Sequence, residues 1–124
     1  MLMPLVLVVD DSHVARRVLA RRLTSEGFQV KEAPSVKDAR KVDVTALACA
    51  IIDLELADGD GTDLADALLA RRTTLPLAFF TTGASPALVQ SARACGPVFV
   101  KPDVEPLLAW VKRTLRPSQP PPTQ

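Results

Sequence analysis

An excess of either charge is missing from this chain. Fifteen basic residues against fourteen acidic ones leave a net charge of +1, which gives no bulk drive toward nucleic acid or an anionic membrane. Cysteine is scarce: Cys49 and Cys95 have no metal-ligand spacing. They read as buried free thiols in a reducing compartment, not as a disulfide. There is one histidine, His13, and a lone imidazole at a helix start reads as a solvated side chain, not a metal ligand or phosphohistidine. No apolar run is long enough to cross a bilayer. The opening Met1-Leu2-Met3-Pro4 has no basic segment, and the run from Leu5 to Val9 breaks at two acids. No signal peptide is therefore expected, and the cytoplasm follows by default. No internal repeat is visible, and no length remains beyond Leu115 for a helix-turn-helix.

What is present describes a soluble globule. Hydrophobic residues make up 48% and charged residues 23% of 124 positions. Such a chain forms one domain and buries roughly two-thirds of its unfolded surface, so its core needs no staples. Short apolar runs alternate with longer amphipathic stretches, the pattern of an α/β fold with a parallel sheet. Strands are expected near 5–9, 28–33, 48–52, 76–80 and 97–100. Helices are expected near 13–26, 36–45, 62–72, 86–95 and 104–115. Gly27 closes the first helix. Ser35 and Asp38 resemble a capping box for the second. Ser85-Pro86 opens the fourth, and Asp103 is expected to cap the fifth. Strand two, Phe28-Gln29-Val30-Lys31-Glu32, alternates apolar and polar, whereas the others are continuously apolar. Alternation marks a sheet edge. The expected architecture is therefore a doubly wound five-stranded sheet of order 2-1-3-4-5, with its switch point between strands one and three. From Pro117 the chain reads Pro-Ser-Gln-Pro-Pro-Pro-Thr-Gln. Residues 1–116 are accordingly expected to form the domain, and 117–124 a proline-rich tail or linker stub.

The strand ends carry the chemistry. Leu5 to Val9 ends on Asp10-Asp11, Ala48 to Ile52 on Asp53, Leu77 to Phe80 on Thr81, and Val98 to Val100 on Lys101-Pro102. In an open parallel sheet the C-terminal edge is where ligands bind. Three carboxylates in one crevice repel; a pair about 4 Å apart costs about 4 kcal/mol at an effective dielectric near 20. Protons or a cation must compensate. Hard oxygen ligands with open positions suit Mg²⁺. Lys101 adds a point charge and Thr81 a hydroxyl. Together they make a clamp for a transferring phosphoryl group, with Asp53 as the nucleophile.

The run Val8-Val9-Asp10-Asp11-Ser12, then Ile51-Ile52-Asp53 with Gly61 eight residues on, then Thr81, then Lys101-Pro102 resembles the response-regulator receiver family of two-component signalling (CheY-like) over residues 5 to about 115. The resemblance implies the flavodoxin-like (βα)5 fold. It implies that Asp53 accepts a phosphoryl group from the phosphohistidine of a histidine kinase or phosphotransfer protein. Asp11, Asp53 and the Glu55 carbonyl would hold Mg²⁺ directly, with Asp10 acting through water. Thr81 and Lys101 would bind the phosphoryl oxygens, and the Lys101–Pro102 bond would be cis. Such a protein is a signalling module and no enzyme beyond slow self-catalysed transfer and dephosphorylation. Its output would pass to a protein partner through the face of helix four, strand five and helix five.

Departures from the family pattern qualify that output. Ala57 stands where proline is usual, four residues after the acceptor, which implies a freer loop. Thr82 replaces a small residue after the switch threonine and narrows access to Asp53. Val98 replaces the usual aromatic three residues before the lysine, and the chain has no tyrosine at all. Phe99 is adjacent but belongs to the opposite face of the strand. Gly83 offers no side chain to guide water. These departures support an alternative: a receiver-fold interaction module with weakened or absent phosphoryl switching. An aspartyl phosphatase of the same architecture fits less well, since it needs its two acids two residues apart after strand one. Arg16, Arg17, Arg21 and Arg22 form a basic band on helix one, read as a solvated face with Arg22 and Glu26 at i,i+4. Trp110 lies off the apolar stripe of helix five and is expected to be partly buried; the other reading is a partner-binding anchor.

Overall fold

Apolar runs without polar interruption become the inner strands of a parallel sheet, because both of their faces are covered. In the computed structural model, which describes residues 3–115, β1 (Leu5–Val9), β3 (Cys49–Ile52) and β4 (Leu77–Thr81) are such strands, almost wholly buried. β2 (Gln29–Ala33) and β5 (Val98–Val100) flank them. The order is β2-β1-β3-β4-β5, all parallel, as the alternation in β2 led us to expect. The tail expected from residue 117 lies outside the described residues.

Alternate side chains of each strand enter separate cores. Leu7, Val9, Ile52 and Phe79 pack with Leu64 and Leu68 of α3 (Gly61–Arg71), on the side that also carries α2 (Val36–Arg40) and α4 (Pro86–Arg93). Val6, Val8 and Ile51 pack with Leu19 and Leu23 of α1 (His13–Ser25) and with Leu107 and Val111 of α5 (Glu105–Leu115). Cys49 is fully buried in this second core, and burial pushes its thiol pKa up to about 12.

Register is what places the strand ends. Val9 pairs with Ile52, so Asp10 and Asp53 follow side by side. Thr81 pairs with Val100, so Lys101 follows immediately beside it.

The helix ends largely follow their signals. Gly27 takes a positive φ of 96° after α1. The Ser85 hydroxyl accepts from the Leu88 N–H at 3.2 Å, with Pro86 in the first turn. The Ser35 hydroxyl accepts from Asp38 at 3.1 Å.

Two helices differ from expectation. α2 stops at Arg40 instead of reaching residue 45, because Asp43 starts a separate 3₁₀ turn, Val44–Ala46. Its carboxylate accepts from both the N–H and the hydroxyl of Thr45, at 3.0 and 2.7 Å. α5 begins at Glu105, so Asp103 stands ahead of the cap position, although its carboxylate still accepts from the Glu105 N–H at 3.3 Å.

The sequence reading also missed a two-residue hairpin after Asp53, in which Glu55–Leu56 pairs antiparallel with Gly59–Asp60. At its tip Asp58 accepts from the N–H groups of Val36 and Lys37, at 2.9 and 3.1 Å. These bonds hold its carboxyl below the usual range. They tether the loop from which proline is missing to the start of α2.

Candidate functional site

The C-terminal edge of the sheet gathers the predicted residues into one corner. Asp10, Asp11 and Asp53 each offer a carboxylate oxygen, and these oxygens lie within 4.8 Å of one another. Asp10 and Asp53 are buried at 5% and 9% exposure, whereas Asp11 faces solvent. Each Asp53 oxygen has its own partners. Oδ1 accepts from the Thr81 hydroxyl at 2.9 Å and from the Glu55 N–H at 3.2 Å. Oδ2 accepts from Lys101 Nζ at 2.8 Å. The same ammonium donates to Asp10 Oδ2 at 2.7 Å, and the Ser12 N–H holds Asp10 Oδ1 at 2.9 Å. The Lys101–Pro102 peptide is cis.

Lys101 supplies positive charge to a corner that holds three carboxylates. Burial alone pulls the ammonium pKa down. The hydrogen bonds it donates to Asp10 and Asp53, reinforced by their charges, more than offset it, and the pKa ends above its usual value. An ammonium shared by two carboxylates is charge-assisted at both contacts. The corner is therefore compensated on its Lys101 side and open on its Asp11 side.

Gly61 shows how closely α3 approaches the corner. A Cβ there would lie 2.2 Å from the Asp53 carbonyl oxygen, so only glycine lets α3 begin at this point.

The family model of the response regulator receiver domain matches residues 6–105. The chain belongs to this receiver family. Among curated proteins, the acid tolerance regulatory protein ActR of Rhizobium meliloti (strain 1021) is 40% identical over 67 residues, covering 53% of this chain and 34% of ActR. The chain thus spans about a third of that relative's length. Among solved structures, the non-phosphorylated receiver domain of HemR from Leptospira biflexa has a TM-score of 0.82 and 26% identity, over 94% of this chain and 98% of that one. Response regulator protein TrrA from Thermotoga maritima, in complex with Mg(2+)-BeF, shares the fold at a TM-score of 0.78 and 23% identity, over 91% of this chain and 100% of that one.

Other singled-out residues of this receiver domain lie away from the corner or touch it indirectly. Val98 packs into the α3–α4 side and Phe99 into the α1–α5 side, so the two do occupy opposite faces. Trp110 is half-buried against Phe99, ring centroids 6.5 Å apart, in line with the partial burial expected of it. Cys95 is half-buried with its Sγ 3.6 Å from Asp66 Oδ1; burial and that carboxylate raise its pKa, which makes it a poor nucleophile.

The basic band of α1 is less solvated than its spacing implied. Arg22 donates to Glu105 at 2.7 Å, and Glu26 pairs with Lys112 at 2.9 Å. Arg17 pairs with Glu32. Arg16 reaches the corner itself, donating from Nη1 to the Asp10 carbonyl at 2.8 Å. Its bond to a backbone oxygen six residues back along the chain leaves no periodic mark in the sequence.

Proposed function

We propose that this receiver domain accepts a phosphoryl group on Asp53 from the phosphohistidine of a histidine kinase or phosphotransfer protein and signals to a protein partner. The observation that carries this reading is the pair of distinct holds on Asp53: Thr81 and the Glu55 N–H on one oxygen, Lys101 on the other. An Asp53 oxygen attacks phosphorus and the nitrogen–phosphorus bond breaks. The imidazole leaves with the electron pair and takes up a proton, and the product is an acyl phosphate. Lys101 and Thr81 then bind the phosphoryl oxygens through the groups that now hold the carboxylate. Burial of Asp53 restricts access by water and favours a product that persists.

The donor set fits Mg²⁺. Asp10, Asp11 and Asp53 supply hard carboxylate oxygens within 4.8 Å, and exposed Asp11 leaves room for the waters this ion retains. Asp11, Asp53 and the Glu55 carbonyl would hold it directly and Asp10 through water. When bound, it supplies positive charge that offsets the negative charge building on the transferring oxygens.

The domain takes in residues 1–116, with 117–124 as linker or tail, and works in the cytoplasm. Among the described residues no helix is long and apolar enough to cross a membrane. Output passes through the α4–β5–α5 face. One observation favours the second reading, a module with weakened switching: Val98 offers no ring to swing between core and solvent, and Phe99 is committed to the other face.

NMR titration with beryllofluoride, a stand-in for the phosphoryl group, tests both readings. Saturable binding that needs Mg²⁺ and is lost in Asp53→Asn is expected. Shifts reaching Val98 and Trp110 support a switching receiver; shifts confined to the loops around Asp53 support the second reading. Absence of Mg²⁺-dependent binding overturns phosphoacceptance.

A further inference from the structure

Strand geometry leaves one backbone oxygen of the acidic corner without a sheet partner. The Val9 carbonyl accepts from the Asp53 N–H at 2.9 Å, on the β3 side, and the Asp10 N–H donates to Ala33 at 3.2 Å, on the β2 side. The N–H and C=O of one strand residue point to the same side, so the Asp10 carbonyl also faces β2. But β2 ends at Ala33 and the chain turns away into α2. A buried carbonyl without a donor is costly, and Arg16 Nη1 supplies one at 2.8 Å.

Arg16 is itself held on its other sides. Its Nε donates to Glu32 Oε1 at 3.1 Å, and its Nη2 lies 3.2 Å from His13 Nδ1. Its side chain is only 11% exposed. Three engaged nitrogens offset the cost of burying a guanidinium, whose planar fork then has one orientation. The oxygen it grips belongs to the peptide that joins Asp10 to Asp11. The plane of that peptide sets the direction in which Asp11 leaves the strand, and Asp11, being exposed, has little packing of its own to hold it.

We propose that Arg16 is a positioning residue for the cation site: by gripping the Asp10 carbonyl it fixes the Asp10–Asp11 peptide so that both carboxylates face Asp53. Glu32, on the neighbouring strand, orients Arg16. This role rests on the Mg²⁺ reading above and concerns a residue that touches neither phosphoryl group nor metal.

Two measurements on the full chain test it. One is the Mg²⁺ dissociation constant from an NMR titration. The other is the carbonyl-carbon resonance of Asp10 without metal, which reports the hydrogen bond directly. Arg16→Met is expected to weaken Mg²⁺ binding by about tenfold or more and to move the Asp10 carbonyl resonance. Arg16→Lys keeps a donor and is expected to recover part of the affinity. Arg21→Met removes the same charge from the exposed face of α1 and is expected to bind as the wild type does. Should Arg16→Met not fold, Glu32→Gln carries the test, with a smaller loss of affinity in the same direction. Wild-type affinity in a folded Arg16→Met or Glu32→Gln variant overturns the positioning role alone, whatever happens to thermal stability. No Mg²⁺ binding by the wild type overturns the phosphoacceptor reading, and the positioning role falls with it.

Discussion

β4 and β5 are neighbours, paired from Phe79–Val98 to Thr81–Val100, yet they are built differently. β4 is buried at every position and ends on Thr81, 3% exposed, with its hydroxyl on Asp53. β5 has three residues, two half-buried and one, Val100, 65% exposed. β4 ends on a residue of the corner and β5 runs directly into one, Lys101, but only β4 is fixed by packing along its length. Lys101 is placed by its ion pairs with Asp10 and Asp53 and by its N–H bond to the Thr81 carbonyl at 2.9 Å. The contrast separates two jobs. The corner is anchored in the core, while the outer strand is held by less burial.

Paired truncations test that contrast most strongly. Phe79→Ala is expected to cost about 3–5 kcal/mol of unfolding free energy. Phe99→Ala, at a half-buried position, is expected to cost about 1–2 kcal/mol. Equal losses in denaturant titrations would erase the distinction between the strands.

Gly61→Ala comes next. Its new methyl meets the Asp53 carbonyl, and overpacking of this kind costs about 1–3 kcal/mol. Beryllofluoride affinity should fall along with stability, because the displaced atom is the backbone of Asp53, the proposed acceptor.

The pH dependence of Lys101 gives a smaller effect with a definite sign. Its folded pKa lies above the ordinary 10.5. The stabilisation it provides is therefore complete below pH 10.5 and is lost as pH rises through the folded value. Metal-free wild type should lose stability in that alkaline window, and Lys101→Met should lack this component in the same titration.

Val98→Tyr, at a half-buried position, is the subtlest of these tests. Its value lies in the response it produces. With a ring restored, beryllofluoride-induced shifts should extend farther along β5 than in wild type. An unchanged pattern would show that Val98 does not limit the response.

How much of this was legible in the sequence depended on the range of the interaction. Sheet order could be read because the alternation in β2 records a poorly covered edge. Gly27, Ser35 and Ser85 could be read because a cap acts within a few residues. The early end of α2 was hidden because Asp43 competes for the backbone there, and a side chain that starts a 3₁₀ turn resembles one inside a helix. The hairpin after Asp53 carried one usable sign, the neighbouring Asp58-Gly59, a pair that favours tight turns, although the turn itself is Ala57-Asp58 and Gly59 already pairs with Leu56. The tether from Asp58 to α2 carried none, since its ends lie 22 and 21 residues apart. The role of Arg16 is hidden for the same reason. Spacing along α1 shows which residues share a face, but not that a backbone oxygen waits opposite one of them.

The packing of Trp110 on Phe99 has a spectroscopic consequence. With one tryptophan and no tyrosine, the fluorescence excited at the red edge of protein absorption arises from a single indole. That indole sits on α5, on the far side of β5 from Val98. Its emission wavelength and quenching therefore report on one side of the outer strand alone, as an optical label the chain already carries.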